Sequence, residues 1–268
     1  MKSETDITMM TLLKKAPLLL LGRLEILLLL SILFGIIAGV VTFPVVQALQ
    51  PIVTTAEDVD VAEIMSSLGN KLPLTLLISL LINSALLIPI TRLLVDSEPF
   101  DGGLKMFFTR FSRIFALQVT AVAIFLVFIF TMSIVLGILS AILPQALILL
   151  IAIIAGIGSL LVIYTVTNVA IVGETIDSRT SLIIAWKMIR PLLVPLAGAY
   201  AAIKVVSMLL SSIATLIIGA LLAGFDLPWL PTMIDQSFGF AAQIVHFSAC
   251  LWATQAIMKQ RKNGANQS

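Results

Sequence analysis

The sequence predicts an all-α integral membrane protein with six transmembrane helices, and three observations carry that prediction. Of the 268 residues, 60% are hydrophobic and only 11% are charged, whereas a soluble domain is about half apolar and about a quarter charged. The apolar residues fall in uninterrupted runs, and a hydrocarbon core of about 30 Å takes about 20 helical residues to cross. The runs lack alternation at period two, which argues against a transmembrane barrel.

The elements follow in order along the chain. A basic-apolar segment, MMTLLKKAPLLLLGR (9–23), precedes the first span at 24–49. The acidic Glu4 and Asp6, and an apolar region that runs on without a small-x-small site, do not fit a cleaved signal peptide. Within the first span GIIAG (35–39) is a GxxxG, the pattern of close helix approach. The polar stretch 50–73 has room for one short amphipathic helix. The second span, 73–92, carries Asn83 at mid-length beside Ser79 and Ser84, an amide placed to bridge helices. Spans three (114–143) and four (146–172) are separated by almost no loop, so they form a tight hairpin. Span four ends in the polar set Tyr164, Thr165, Thr167 and Asn168. Run 191–224 is about 51 Å long at 1.5 Å per residue, more than the hydrocarbon needs. FDLPWLPTMID (225–235) turns the chain with two prolines, and Trp229 reads as an interfacial anchor. The sixth span, 236–258, has His246 near its middle, with Gln243, Cys250 and Thr254 on the same face. Pro17, Pro89 and Pro195 lie near span ends, where they bend helices. The whole chain, 1–268, is expected to form a single transmembrane domain.

Charge sets the expected orientation. Of the 16 Lys and Arg residues, all but Lys71 and Lys204 fall on one side of the six spans. The positive-inside rule therefore places both termini in the cytoplasm. Glu57, Asp58, Asp60, Glu63, Asp226 and Asp235 fall on the other side.

The basic segments suggest an internal repeat: an interfacial segment, a span out and a span back, three times over. The segments are 9–23, PFDGGLKMFFTRFSR (99–113) and TIDSRTSLIIAWKMIR (175–190), ending in Arg23, Arg113 and Arg190. Lys105, Arg110 and Arg113 alternate with Met106, Phe107, Phe108 and Phe111. Arg179, Lys187 and Arg190 accompany Ile183, Ile184 and Trp186. Basic residues interleaved with large apolar ones suit helices lying in the inner headgroup layer, with anionic lipid headgroups as partners.

The stretch NVAIVGETIDSRTSLIIAWKMIRPLLVPL (168–196) resembles bacterial six-span inner-membrane proteins. They are grouped around the membrane domain of glycerophosphodiester phosphodiesterase and related families. Glu174, Ala185, Trp186 and Lys187 match their pattern of a span ending in an acidic residue, a turn and an amphipathic "A-W-K" helix. The resemblance implies a bacterial inner-membrane location and a six-span layout. The phosphodiesterase domain has no counterpart here, so its catalysis is not implied.

The polar residues inside the spans are the candidate site. Lys204 sits on a small and polar helix face with Tyr200, Ser207 and Ser211, so it should point into the bundle. Counting back from Gly224 puts it at the inner boundary, where its stem could snorkel; counting forward from Pro191 puts it near mid-membrane. A mid-bilayer charge costs about 2.5–3.5 kcal/mol, which favours the inner boundary. For His246 a neutral ring hydrogen-bonded to another helix is favoured over a proton relay. Lys204, Tyr200, His246, Asn83 and Asn168 together make a candidate polar cavity.

Several chemistries are missing. One cysteine and one histidine cannot make a His/Cys zinc cluster or an internal disulfide. HExxH, GxSxG and Walker A motifs are lacking, as is a carboxylate pair at membrane depth. The basic residues track the membrane boundary and do not form a nucleic-acid surface. The expectation is a non-catalytic inner-membrane protein without cofactor, acting in envelope or lipid organisation or as a subunit of a larger assembly, with protein partners or a homo-oligomer open. The alternative is a permease or lipid-handling carrier with a cavity near Lys204 and His246.

Overall fold

The computed structural model describes residues 7–54, 69, 71–95, 103–176, 180–222, 225 and 227–265, with side chains described except at 48–54 and 259–265. The elements are helices α1 (Met9–Lys15), α2 (Leu24–Thr54), α3 (Lys71–Leu94), α4 (Gly103–Leu139), α5 (Gln145–Thr175), α6 (Leu182–Ile189), α7 (Leu193–Leu221) and α8 (Leu230–Ala265). The described residues contain no strand. Helices α2, α3, α4, α5 and α7 are long and apolar enough to cross a membrane. Their limits differ from the expected spans mainly at α4 and α8, which start earlier. The expected amphipathic helix in 50–73 falls largely outside the described residues, as do Arg179 and both chain ends.

Local chemistry explains where the basic segments break. Thr8 caps α1 by accepting the Thr11 N–H at 3.2 Å, and Lys14 and Lys15 close its last turn against the helix dipole. Pro17 then starts a tight 3₁₀ turn, a second follows, and α2 begins at Leu24. In the third segment Pro191 does the same, so α6 ends and a 3₁₀ turn at Arg190–Leu192 leads into α7. Proline lacks the amide proton that a continuing helix needs.

The middle segment corrects the sequence-based expectation. Within segment 99–113 the described residues, 103–113, do not form a separate interfacial helix, because α4 runs unbroken from Gly103 to Leu139. Gly103 takes a left-handed φ of +67°, and from Leu104 to Leu136 there is neither glycine nor proline to stop the helix. The three segments therefore do not share one form.

The bundle is organised around α8, which contacts α1, α2, α3, α5 and α7. Phe240, Ile244, His246, Phe247, Ser248, Cys250, Leu251 and Thr254 of α8 are all buried. The GxxxG of α2 seats against it. A Cβ on Gly35 would overlap the Ser237 side chain, and one on Gly39 would stand 2.8 Å from the Met233 Cα. Phe34 stacks on Phe240 one turn further along, ring centroids 4.0 Å apart. The C-terminal end of α1 is tied to the middle of α8 by Ser248 Oγ, which donates to the Ala16 carbonyl at 3.0 Å.

Packing is uneven along the bundle axis. The end that holds Arg92, Arg110 and Glu174 is dense: Leu87 to Leu94 of α3, except Pro89, and Thr165 to Thr175 of α5 are buried. Toward the α4–α5 turn, α4 exposes Leu126, Val127 and Phe130 and α5 exposes Leu149, Ile153 and Ile154. An apolar surface of that kind is what lipid covers.

Candidate functional site

Two concavities flank the α4–α5 hairpin. The first is a cavity of about 190 Å³ between α3, α4, α5 and α8. Its walls are Leu80, Val122, Phe125, Leu160 and Ile163, and amides converge on it from all four helices: Asn83, Gln118, Asn168 and Gln243. Gln118 lies on a buried helical stripe of α4 with Arg110, Ile114 and Ala121. It accepts a hydrogen bond at 3.1 Å from Ser84 Oγ of α3. The bridge expected of Asn83 is thus made by its neighbour, because the Asn83 side chain turns to the cavity instead. Asn83 Oδ1 is buried with no hydrogen-bond partner among the described residues, and Asn168 Nδ2, buried near the Tyr164 hydroxyl one turn earlier in α5, makes no well-formed bond to it. Each such group left unmet costs about 1–3 kcal/mol.

Beside the cavity three rings stack. Tyr164 and Tyr200 lie with centroids 4.4 Å apart, and Tyr200 and His246 4.7 Å apart. His246 is fully buried. Its Nε2 lies 3.5 Å from Cys250 Sγ, one turn along the same helix. The polar contact expected from another helix is therefore replaced by an intrahelical one, with the tyrosines of α5 and α7 packing the ring faces.

Lys204 stands apart from both. Its Nζ lies 3.4 Å from where a Gly239 Cβ would be, on the α7 face that packs against α8. Ser207 and Ser211 continue that face, donating to the Phe238 carbonyl at 2.8 Å and to Asp235 Oδ1 at 3.2 Å. Asp235, expected in a loop, belongs to the second turn of α8. Lys204 is about 16 Å along α7 from Leu193, and Gly239 about 13 Å along α8 from Leu230. The lysine therefore reaches, half-buried, into the helix pair, and Gly239 is what makes room for it.

The five candidate cavity residues thus separate into groups. Asn83 and Asn168 line one cavity, Tyr200 and His246 pack beside it, and Lys204 lies outside its lining. Sequence reasoning missed Gln118, although it is the one amide in the run 114–143.

The second concavity is a groove on the other side of the hairpin. One part, about 630 Å³, is lined by Arg113, Thr120, Glu174, Thr180 and Ser181 together with apolar Ala116, Leu117 and Ile124. It shares Ile124, Leu182 and Ile183 with an apolar part of about 310 Å³ that runs on to Val162, Val166 and Trp186. Arg113 Nη1 donates to Glu174 Oε2 at 3.4 Å, with the arginine 44% exposed. Ser181 caps α6 by accepting the Ile184 N–H at 3.3 Å. Helix α6 buries Ala185, Met188 and Ile189 and leaves Ile183, Trp186, Lys187 and Arg190 exposed. Lys105 is exposed too. Arg110 is not a headgroup contact as expected, because the unbroken α4 turns it inward and buries it.

Searches against family models, curated proteins and solved structures find no match for the chain.

Proposed function

We propose that this chain is a non-catalytic integral protein of a bacterial inner membrane that acts in lipid organisation by holding phospholipid against its α4–α5 hairpin. The observation that carries the reading is the zoning of the groove under α6. One end offers a half-exposed guanidinium and hydroxyl groups, and the rest is aliphatic, the distribution of a headgroup and an acyl chain. The exposed Lys105, Lys187 and Arg190 add positive charge that attracts anionic headgroups. The likeness of residues 168–196 to six-span inner-membrane domains points the same way, since Glu174, Trp186 and Lys187 all lie on or beside this groove.

Purification in mild detergent followed by native mass spectrometry tests the reading. Wild-type protein should retain phospholipid, and Ala116→Trp, which fills the groove from an exposed position, should lose most of it. Equal retention by both proteins would defeat the assignment. A second reading, a lipid-handling carrier, draws on the cavity at Asn83 and Asn168. It predicts protein-dependent movement of labelled lipid between leaflets of reconstituted vesicles.

A further inference from the structure

We propose that the cavity between α3, α4, α5 and α8 binds the uncharged, hydroxyl-bearing headgroup of a neutral glycerolipid that enters sideways from the membrane. The site opens on the other side of the α4–α5 hairpin from the groove under α6, with Ala121, Ile163 and Thr167 lying between the two, and the proposal does not rest on that groove.

The chemistry of the lining selects the ligand. Asn83 Oδ1 is a buried acceptor without a donor, and Asn168 Nδ2 is a buried donor that faces the Tyr164 hydroxyl of its own helix but makes no well-formed hydrogen bond to it. A hydroxyl group supplies both functions at once. None of the lining side chains is charged, so a phosphate entering the cavity would shed its hydration without gaining a cation. Asn168 itself is only 2% exposed, which makes it a fixed element of a built site and not a solvated surface amide. The cavity's 190 Å³ equals about six waters at about 30 Å³ each, enough for a glycerol ester headgroup. Acyl chains would leave past Leu80, Val122, Phe125 and Leu160, toward the stretch where α4 and α5 expose their apolar surface. The surroundings are thus polar toward Asn83, Gln118 and Asn168 and aliphatic toward Leu80, Phe125 and Leu160.

The experiment uses the full chain in lipid nanodiscs with a photoactivatable dioleoylglycerol as probe. Labelling should be saturable and should map to peptides containing Asn83 or Asn168. Unlabelled dioleoylglycerol should compete, while equal amounts of dioleoylphosphatidylglycerol and millimolar glycerol should not. Asn83→Leu and Asn168→Leu should each cut labelling at least tenfold. Leu80→Trp, which narrows the membrane side and leaves the amides intact, should cut it as well and guards against misfolding of the amide variants. Ala116→Trp in the other groove should leave labelling unchanged. Labelling that is unsaturable, insensitive to all three cavity variants, or competed equally by the phosphatidyl lipid would overturn the proposal. Competition by glycerol alone would overturn the lipid source.

Discussion

At the scale of single residues, the decisive positions are those where a side chain is the wrong size or charge for its surroundings. Gly35 and Gly39 let α2 and α8 approach until a Cβ would collide with Ser237 and the Met233 backbone. Gly39→Val should therefore force the helices apart and lower the midpoint of thermal unfolding, with a cost in the 1–3 kcal/mol range typical of overpacking. Gly137→Val, on an open surface, should do little, and similar losses from both would show that close approach is not the cause. Lys204 poses the opposite problem, since nothing among the described residues pairs with its ammonium. Lys204→Met keeps most of the apolar stem and removes the charge, so insertion should improve by up to about 2.5–3.5 kcal/mol. A membrane-insertion assay reads that directly, and a Met variant that inserts less well would mean the charge is compensated by a group outside the chain. The sequence showed both positions. It could not show that Gly239 faces the lysine, because that fact belongs to the pairing of α7 with α8.

At the scale of elements, the existence of five spans was legible, while helix burial, including that of the expected sixth span in α8, was not. Length and apolarity identify a crossing segment because the bilayer acts on each helix separately. Which helix becomes central depends on the partners available, and here it is α8, whose polar residues Gln243, His246, Ser248 and Thr254 find burial among α2, α5 and α7. The apolar α4 and α5 go outside because lipid is as good a neighbour for leucine as another helix. Segment 99–113 was misread for a related reason. Its mixture of basic and aromatic residues suits an interfacial helix, yet the backbone holds no breaker after Gly103, so propagation through the segment wins. A spin-label scan from Leu104 to Ala116 should show a period of 3.6 residues. Arg110 and Ile114 should be protected, and Lys105, Phe108 and Ser112 exposed. Uniform accessibility before Ile114 would restore the separate segment.

At the scale of the whole molecule, the charge count and the helix pairing converge on one topology. Gly35 with Ser237, Ser84 with Gln118, Arg113 with Glu174 and Ser211 with Asp235 each join helices that run in opposite directions. The pairs α2 with α8, α3 with α4, α4 with α5 and α7 with α8 thus run antiparallel, as alternating spans require, and the described Arg92, Lys105, Arg110 and Arg113 gather at one end of α3 and α4. The positive-inside rule predicts that this end faces the cytoplasm. The dense packing lies at the same end, around Arg92, Arg110 and Glu174, while the α4–α5 turn projects from the other. Maleimide labelling in intact cells can separate the two ends, using a Cys250→Ser background to remove the buried native thiol. Gln145→Cys, at the start of α5, should react with an impermeant reagent from outside. Lys105→Cys, at the start of α4, should react only after the inner membrane is opened. Reaction of both from outside would contradict the alternation of helices, and a clean reversal would keep the fold but place the lipid groove under α6 in the outer leaflet. In that case anionic lipid of the inner leaflet could not be its occupant, and the functional proposal would fall while the bundle itself stood.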